Sequence, residues 1–263
     1  MKINEIMEFI TCLRKTKKKV ITNYYLSLQK SKEDFVTWKS ESSIVFCAQE
    51  NKVLRCYFAS TDVEELNTLL EKVPEGAVLD YVVKGKMENF SWEKSGFEHY
   101  KTQIRHTTPD LLAPHPKTER EQFLEQLYQE DFGEFATAED ADELYDLLYQ
   151  IFDYRVSRLP SKEELLEQIG KNWVLLYREN GEIVSFLMYQ MEGKKYYGYQ
   201  IYNAGTADIS YNLNKRALSY AIEHYGAKSS YSWTNIDNRA ANRIVDENST
   251  DGTYNYIFVK TWS

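Results

Sequence analysis

The stretch Tyr196–Lys228, YYGYQIYNAGTADISYNLNKRALSYAIEHYGAK, decides how this chain is read. Its aromatic, β-favouring start reads as a strand, Tyr196–Thr206, because such side chains suit a pleated, half-buried surface. Leu213, Ala217, Leu218, Ala221 and Ile222 then recur at helical spacing, so Asp208–Tyr225 reads as a helix. A strand at Lys228–Thr234, a short helix at Asn238–Glu247 and an aromatic strand at Tyr254–Trp262 complete the run. Upstream, Trp173–Arg178 and Glu182–Met191 flank Glu179-Asn180-Gly181, and an Asn-Gly pair specifies a tight hairpin.

At 263 residues the chain is long enough for two domains. A net charge of −8 gives it no long-range attraction for nucleic acid or anionic membrane. No apolar run approaches the ~20 residues of a membrane span. No uninterrupted apolar segment precedes the N-terminal basic cluster, so no secretory signal is read and a cytoplasmic location is expected. Cys12, Cys47 and Cys56 lack metal-binding spacing and read as free thiols, and no metal is expected. The 21 tyrosines suit half-buried sheet and an apolar cleft edged with hydroxyls.

The first half has its own order. Ile3, Ile6, Met7, Ile10 and Leu13 mark an amphipathic helix, and Arg14, Lys15, Lys17, Lys18 and Lys19 follow as its cationic end. Val20–Leu28 reads as a strand. Ser43–Gln49 and Val53–Ser60 form a hairpin around Glu50-Asn51-Lys52. Thr61-Asp62-Val63-Glu64 caps a helix that Pro74-Glu75-Gly76 ends. A strand at Ala77–Val83, a short helix at Glu88–Ser95 and an extended Tyr100–His106 follow. Pro109, Pro114 and Pro116 mark a linker, with a helix at Glu121–Tyr128 beyond it.

Trp92-Glu93-Lys94-Ser95-Gly96-Phe97 resembles the aromatic-x-x-x-Gly-Phe signature that closes domains of the Gcn5-related N-acetyltransferase (GNAT) superfamily. Phe135-Ala136-Thr137-Ala138-Glu139-Asp140 resembles that family's opening strand and Thr-x-x-Asp helix start. The order strand, turn, helix, strand, helix, strand after Gly181 is similar to the second half of the same fold. The resemblance implies an α/β fold with a mixed central sheet flanked by helices, in two GNAT-like halves. The N-terminal, degenerate half is 1–106, a linker and bridging helix take 107–131, and the C-terminal half is 132–263. It also implies acetyl-CoA or another acyl-CoA as co-substrate.

In the family, Arg/Gln-x-x-Gly-x-Gly/Ala between the fourth strand and the next helix cradles the coenzyme A pyrophosphate on helix-terminal amides. The matching stretch is Asn212-Leu213-Asn214-Lys215-Arg216-Ala217, which makes Leu213, Asn214, Lys215, Arg216 and Ala217 candidate cofactor contacts. Lys215 replaces the first glycine, and Lys215 and Arg216 can offset its loss by charge. Asn238, three residues before Ala241, matches an asparagine that meets the pantetheine arm, and reads equally as a helix N-cap. The family's tyrosine general acid is replaced by Val245, and Ser249-Thr250 stands where Gly-Phe belongs. Tyr202, Tyr211 or Tyr254 are substitutes, and no catalytic residue is assigned. No such loop lies between Ser60 and Asp62, so the first half is not read as a donor site.

Other catalytic signatures are absent from the sequence: no GxSxG, P-loop, GxGxxG or HExxH. Two functions follow from the resemblance. One is an acyl-CoA-dependent N-acyltransferase acting on a small-molecule or peptide amine. The other is a non-catalytic GNAT-fold binding or structural protein that has lost coenzyme A. A third, aminoacyl transfer of the tandem-GNAT kind, calls for a basic RNA-binding surface that the net charge disfavours.

Overall fold

The computed structural model describes residues 1–16, 18–24, 35–87, 91–114, 117–238, 241 and 250–261. The chain forms two compact units: Met1–Ile104 with Asp153–Arg158 and Gly252–Ser263, and Arg105–Phe152 with Leu159–Asp251. The sequence-predicted strand residues 25–28, most of the helix expected at Asn238–Glu247, and Val245 and Ser249 lie outside the described residues.

In unit 1, helix α1 (Ile3–Lys15) buries Ile3, Ile6, Ile10 and Leu13 against β3 (Ser43–Glu50) and β4 (Val53–Ser60). The β3–β4 turn is tight because Asn51 accepts φ of 50°. Asp62 caps α2 (Val63–Leu70) through the amides of Glu64 and Glu65. Its Leu66, Leu69 and Leu70 then pack on Val45, Phe58 and Trp92. Short strands β1 (Ile21–Thr22) and β2 (Val36–Lys39) border β4 and β3. Strand β5 (Val78–Lys84) runs parallel to β4.

Strand β12 (Thr250–Lys260) corrects the sequence reading, which made Tyr254–Trp262 the last strand of the second half. It pairs antiparallel with β5, from Thr253↔Lys84 to Val259↔Val78, and its other neighbour is β6 (Phe97–Thr108). An apolar strand pattern reports burial on both faces, as Tyr256, Ile257 and Phe258 show, but not which strands flank it. The segment 153–158 also belongs to unit 1: Val156 packs with Val53, Val78 and Ile257.

Unit 2 is built on β8 (Val174–Glu179) and β9 (Glu182–Glu192), joined by a turn with positive φ at Asn180 and Gly181. Strand β10 (Lys195–Asn203) is antiparallel to β9, β11 (Ser229–Asn235) is parallel to β10, and β7 (Glu134–Phe135) edges β8. Helices α4 (Ala141–Ile151) and α5 (Lys162–Gly170) cover one face, packing Leu144, Leu148 and Leu165 on Val174, Phe186 and Met188. Helix α6 (Ala207–Tyr225) covers the other, with Leu213, Ala217 and Ala221 on Leu187, Tyr189 and Tyr196. Each unit is therefore a mixed sheet flanked by helices.

Lys260, 1% exposed, closes unit 1 by an unusual route. Its ammonium donates to the carbonyls of Leu70 (3.2 Å), Glu71 (3.3 Å) and Ser95, at the end of α2 and of the 3-10 turn Ser91–Ser95. The Leu70 carbonyl also accepts from the Val73 amide at 3.2 Å, and the Lys260 cation adds a donor at both helix ends at once. Lys260→Met should cost about 2–4 kcal/mol of stability, because it takes a charged donor away from buried carbonyls. Urea unfolding would read this as a lower midpoint, and an unchanged midpoint would contradict it.

Candidate active site

The β9–β10 register slips between Gly198 and Gln200, which leaves Tyr199 as a bulge. A bulge inserts one residue and so exchanges the two faces of a strand beyond it. Before it, Tyr196 pairs with Met191 on the α6 side; beyond it, Gln200 and Tyr202 pair with Met188 and Phe186 on the α4/α5 side. Ile201, opposite Leu187, points to the α6 side and is 50% exposed. The parallel ladder between β10 and β11 ends at Gly198↔Ser232, although the strands run on to Asn203 and Asn235. The two strands thus diverge from the bulge onward.

Helix α6 begins at the mouth of this divergence. Thr206 is its N-cap residue, and Asn203 shapes the approach, its amide donating to the Thr206 carbonyl at 2.9 Å. Asp208 places a carboxylate in the first turn, where it complements the helix dipole and opposes an anionic ligand.

The turn expected at Asn212–Ala217 is instead the interior of α6. There each amide bonds the carbonyl four residues back, so none can cradle a phosphate. The side chains are engaged too. Leu213 and Ala217 are buried in the core. The Asn212 side chain accepts from the Gln129 amide at 2.7 Å and donates to the Asp208 carbonyl at 2.8 Å. Arg216 donates to the carbonyls of Phe132 (3.0 Å) and Gly133. Lys215 lies 3.3 Å from Glu125, and Asn214 is exposed. Asn238 is far along the chain from this cluster, and its side-chain oxygen accepts from the Ala241 amide at 3.1 Å, as an N-cap does. Tyr211 donates to Glu125 at 2.6 Å, Tyr202 packs in the α4/α5 core, and Tyr254 packs in unit 1. The bulge and Ile201 were missed; the signal was Gly198 within an aromatic strand, where an isolated glycine marks a bulge or a close backbone approach.

No protein-family model matches the chain, and no curated protein matches it in sequence. It is similar to a solved GCN5-related N-acetyltransferase from Sphaerobacter thermophilus, at 11% identity over 82% of this chain and 76% of that one, with a TM-score of 0.50. It is equally similar to one from Kribbella flavida, at 10% identity over 87% and 90%, with a TM-score of 0.50. The chain has the GCN5-related N-acetyltransferase fold.

Within this GNAT fold the two units treat their parallel strand pairs differently. In unit 1, β4 and β5 share the single ladder pair Arg55↔Val78. The chain itself bridges the strands beyond: Asn23 accepts from the Phe58 amide (2.7 Å) and donates to the carbonyls of Cys56 (2.9 Å) and Asp80 (3.0 Å). Thr22 donates to the Phe58 carbonyl at 2.6 Å. Backbone groups that a ligand would otherwise meet are thereby satisfied internally.

Glu125, on α3 (Glu119–Gln126), ties that helix to α6. The Tyr211 hydroxyl, with Lys117 and Lys215, holds its carboxyl down at about 2. A depressed carboxylate stabilises the fold above its ordinary pKa and loses that contribution as pH falls from about 5 toward 2. Glu125 is about one-third exposed, so screening limits the effect to roughly 1 kcal/mol or less. Glu125→Gln should therefore flatten part of the loss of melting temperature between neutral pH and about pH 3; parallel wild-type and variant curves would refute the assignment.

Proposed function

We propose that this protein is an acyl-CoA-dependent N-acyltransferase, transferring an acetyl or other acyl group to an amine, with the chemistry in unit 2. The observation that supports this reading is the divergence of β10 from β11 at the Tyr199 bulge, with the start of α6 beside it. Parallel strands that no longer pair leave backbone groups open to an extended ligand, and the half-exposed Ile201 adds an apolar side chain beside them. The pantetheine arm fits that chemistry. The pyrophosphate is less well served, because the Leu213–Ala217 candidates lie within the helix.

When bound, the thioester would supply an activated acyl carbon. The β10 backbone beyond the bulge would hold the arm by strand-like hydrogen bonds, and the Gly205–Thr206 turn would face its phosphates. Amides of the bulged segment are fixed dipoles, suited to polarising a carbonyl without reorganising. Positioning an amine against that carbonyl carries much of the rate, and a thiolate leaves without strong acid assistance.

A second reading, a GNAT-fold protein without donor binding, is favoured by the engaged Lys215 and Arg216 and by the Asp208 carboxylate. Calorimetry with acetyl-CoA on the full chain separates the two. Saturable binding is expected, and Ile201→Trp should weaken it about tenfold or more by crowding the arm, with the melting temperature little changed at this half-exposed site. No heat at millimolar acetyl-CoA would leave the second reading.

A further inference from the structure

The α4/α5 side of unit 2 carries a row of rings beside the bulge. Tyr197 and Tyr231 are directly opposite across the parallel ladder and stack with centroids 4.6 Å apart and planes 3° apart. Tyr199, the bulged residue, lies 5.6 Å from Tyr197. All three rings are half-buried. The Tyr231 hydroxyl donates to Glu192 at 2.8 Å, which sets an exposed carboxylate at one end of the row and enriches the ring in electrons.

Cations of the chain already occupy ring faces here. Lys195 Nζ lies 5.7 Å from the centroid of Tyr231, and Arg105 Cζ lies 5.8 Å from that of Trp233. Aromatic faces attract ammonium and guanidinium groups through the ring quadrupole. Arg105 is fixed by Asp251, whereas Lys195 is exposed at its strand start, so an external ammonium can take its place. Glu192 is opposite Lys195, four strand residues before the bulge, which is about 13 Å along the sheet. The net charge of −8 favours cations over anions around the chain as a whole.

We propose that unit 2 binds a di- or polyamine, one ammonium held by Glu192 and the Tyr231 ring and the other end carried past Tyr197 to Tyr199. As an acyl acceptor this ligand rests on the acyltransfer reading. The distal ammonium first loses a proton to solvent. Its nitrogen then bonds the acyl carbon while the carbon–sulfur bond breaks, sulfur leaving with the electron pair; the amide nitrogen's extra proton goes to water. The Glu192-bound ammonium stays charged and takes no part.

The test uses the full chain and spermidine, with butylamine as a single-charge control, followed by calorimetry at low and high salt. Spermidine should bind at least about tenfold more tightly than butylamine, and salt should weaken it. Glu192→Gln, at an exposed position, should cost about three- to tenfold in spermidine affinity, and Tyr231→Ala at least as much, whereas Tyr231→Phe keeps the ring and most of the affinity. Equal spermidine affinity in wild type and Glu192→Gln, or no saturation by about 10 mM, overturns the proposal. So does preferential binding of an oligothymidylate, lost in Tyr231→Ala. Acetyl-CoA is titrated separately. Acetyl-CoA binding without spermidine binding sinks only this inference, and spermidine binding without acetyl-CoA binding sinks only the acyltransfer reading.

Discussion

One inserted residue, Tyr199, governs the layout of unit 2. A strand presents alternate side chains to alternate faces, and a single extra residue exchanges them. Without the bulge, the Tyr196 and Tyr189 side would continue through Gln200 and Tyr202, and the α4/α5 core would lose Tyr202. With it, Ile201 turns to the α6 side, and the parallel ladder to β11 ends at the same level. Parallel pairing is slightly less stable per residue than antiparallel pairing, and a bulge adds local twist to the strand that carries it. The crossover helix that parallel strands require starts later, at Ala207, once β10 has run past the end of the ladder to Asn203.

The same constraint has a different outcome in unit 1. There β4 and β5 barely pair, and a carboxamide, Asn23, bonds to both strands. A side-chain amide carries a donor and an acceptor in the geometry of a peptide group, so it can stand in for a short piece of strand. An amide-bearing ligand would compete for the same groups. Unit 1 keeps the strand arrangement while meeting its polar demand from within, so similar topology does not carry similar chemistry.

Much of the architecture was legible in the sequence because it rests on local rules. The Asn180-Gly181 hairpin, the Asp62 cap and the helical stripe of α6 each follow from a few neighbouring residues. The pairing of β12 with β5 was not legible. A strand buried on both faces, as β12 is at Tyr256–Phe258, fits the centre of any sheet, and its partners lie far away along the chain. The bulge left only Gly198 as a hint, and the segment Asp153–Arg158 reads as an ordinary loop until Val156 is seen in the unit 1 core.

The misplaced phosphate turn has a physical origin of its own. Ala217 matched the last position of the family motif because a small residue is needed there. In this chain that need comes from packing: Ala217 and Ala221, with no exposed surface, let α6 approach the stacked rings of Tyr189 and Tyr196, whose centroids are 4.8 Å apart. A larger side chain would lift the helix off the sheet, since close-packed cores absorb little added volume. Small residues at a helix–sheet contact and small residues at a phosphate turn look alike in sequence. What separates them is whether the neighbouring amides are free, and that depends on where the helix starts. Here Thr206 starts it more than two turns before Ala217, so the small residue answers to the tyrosines beneath it.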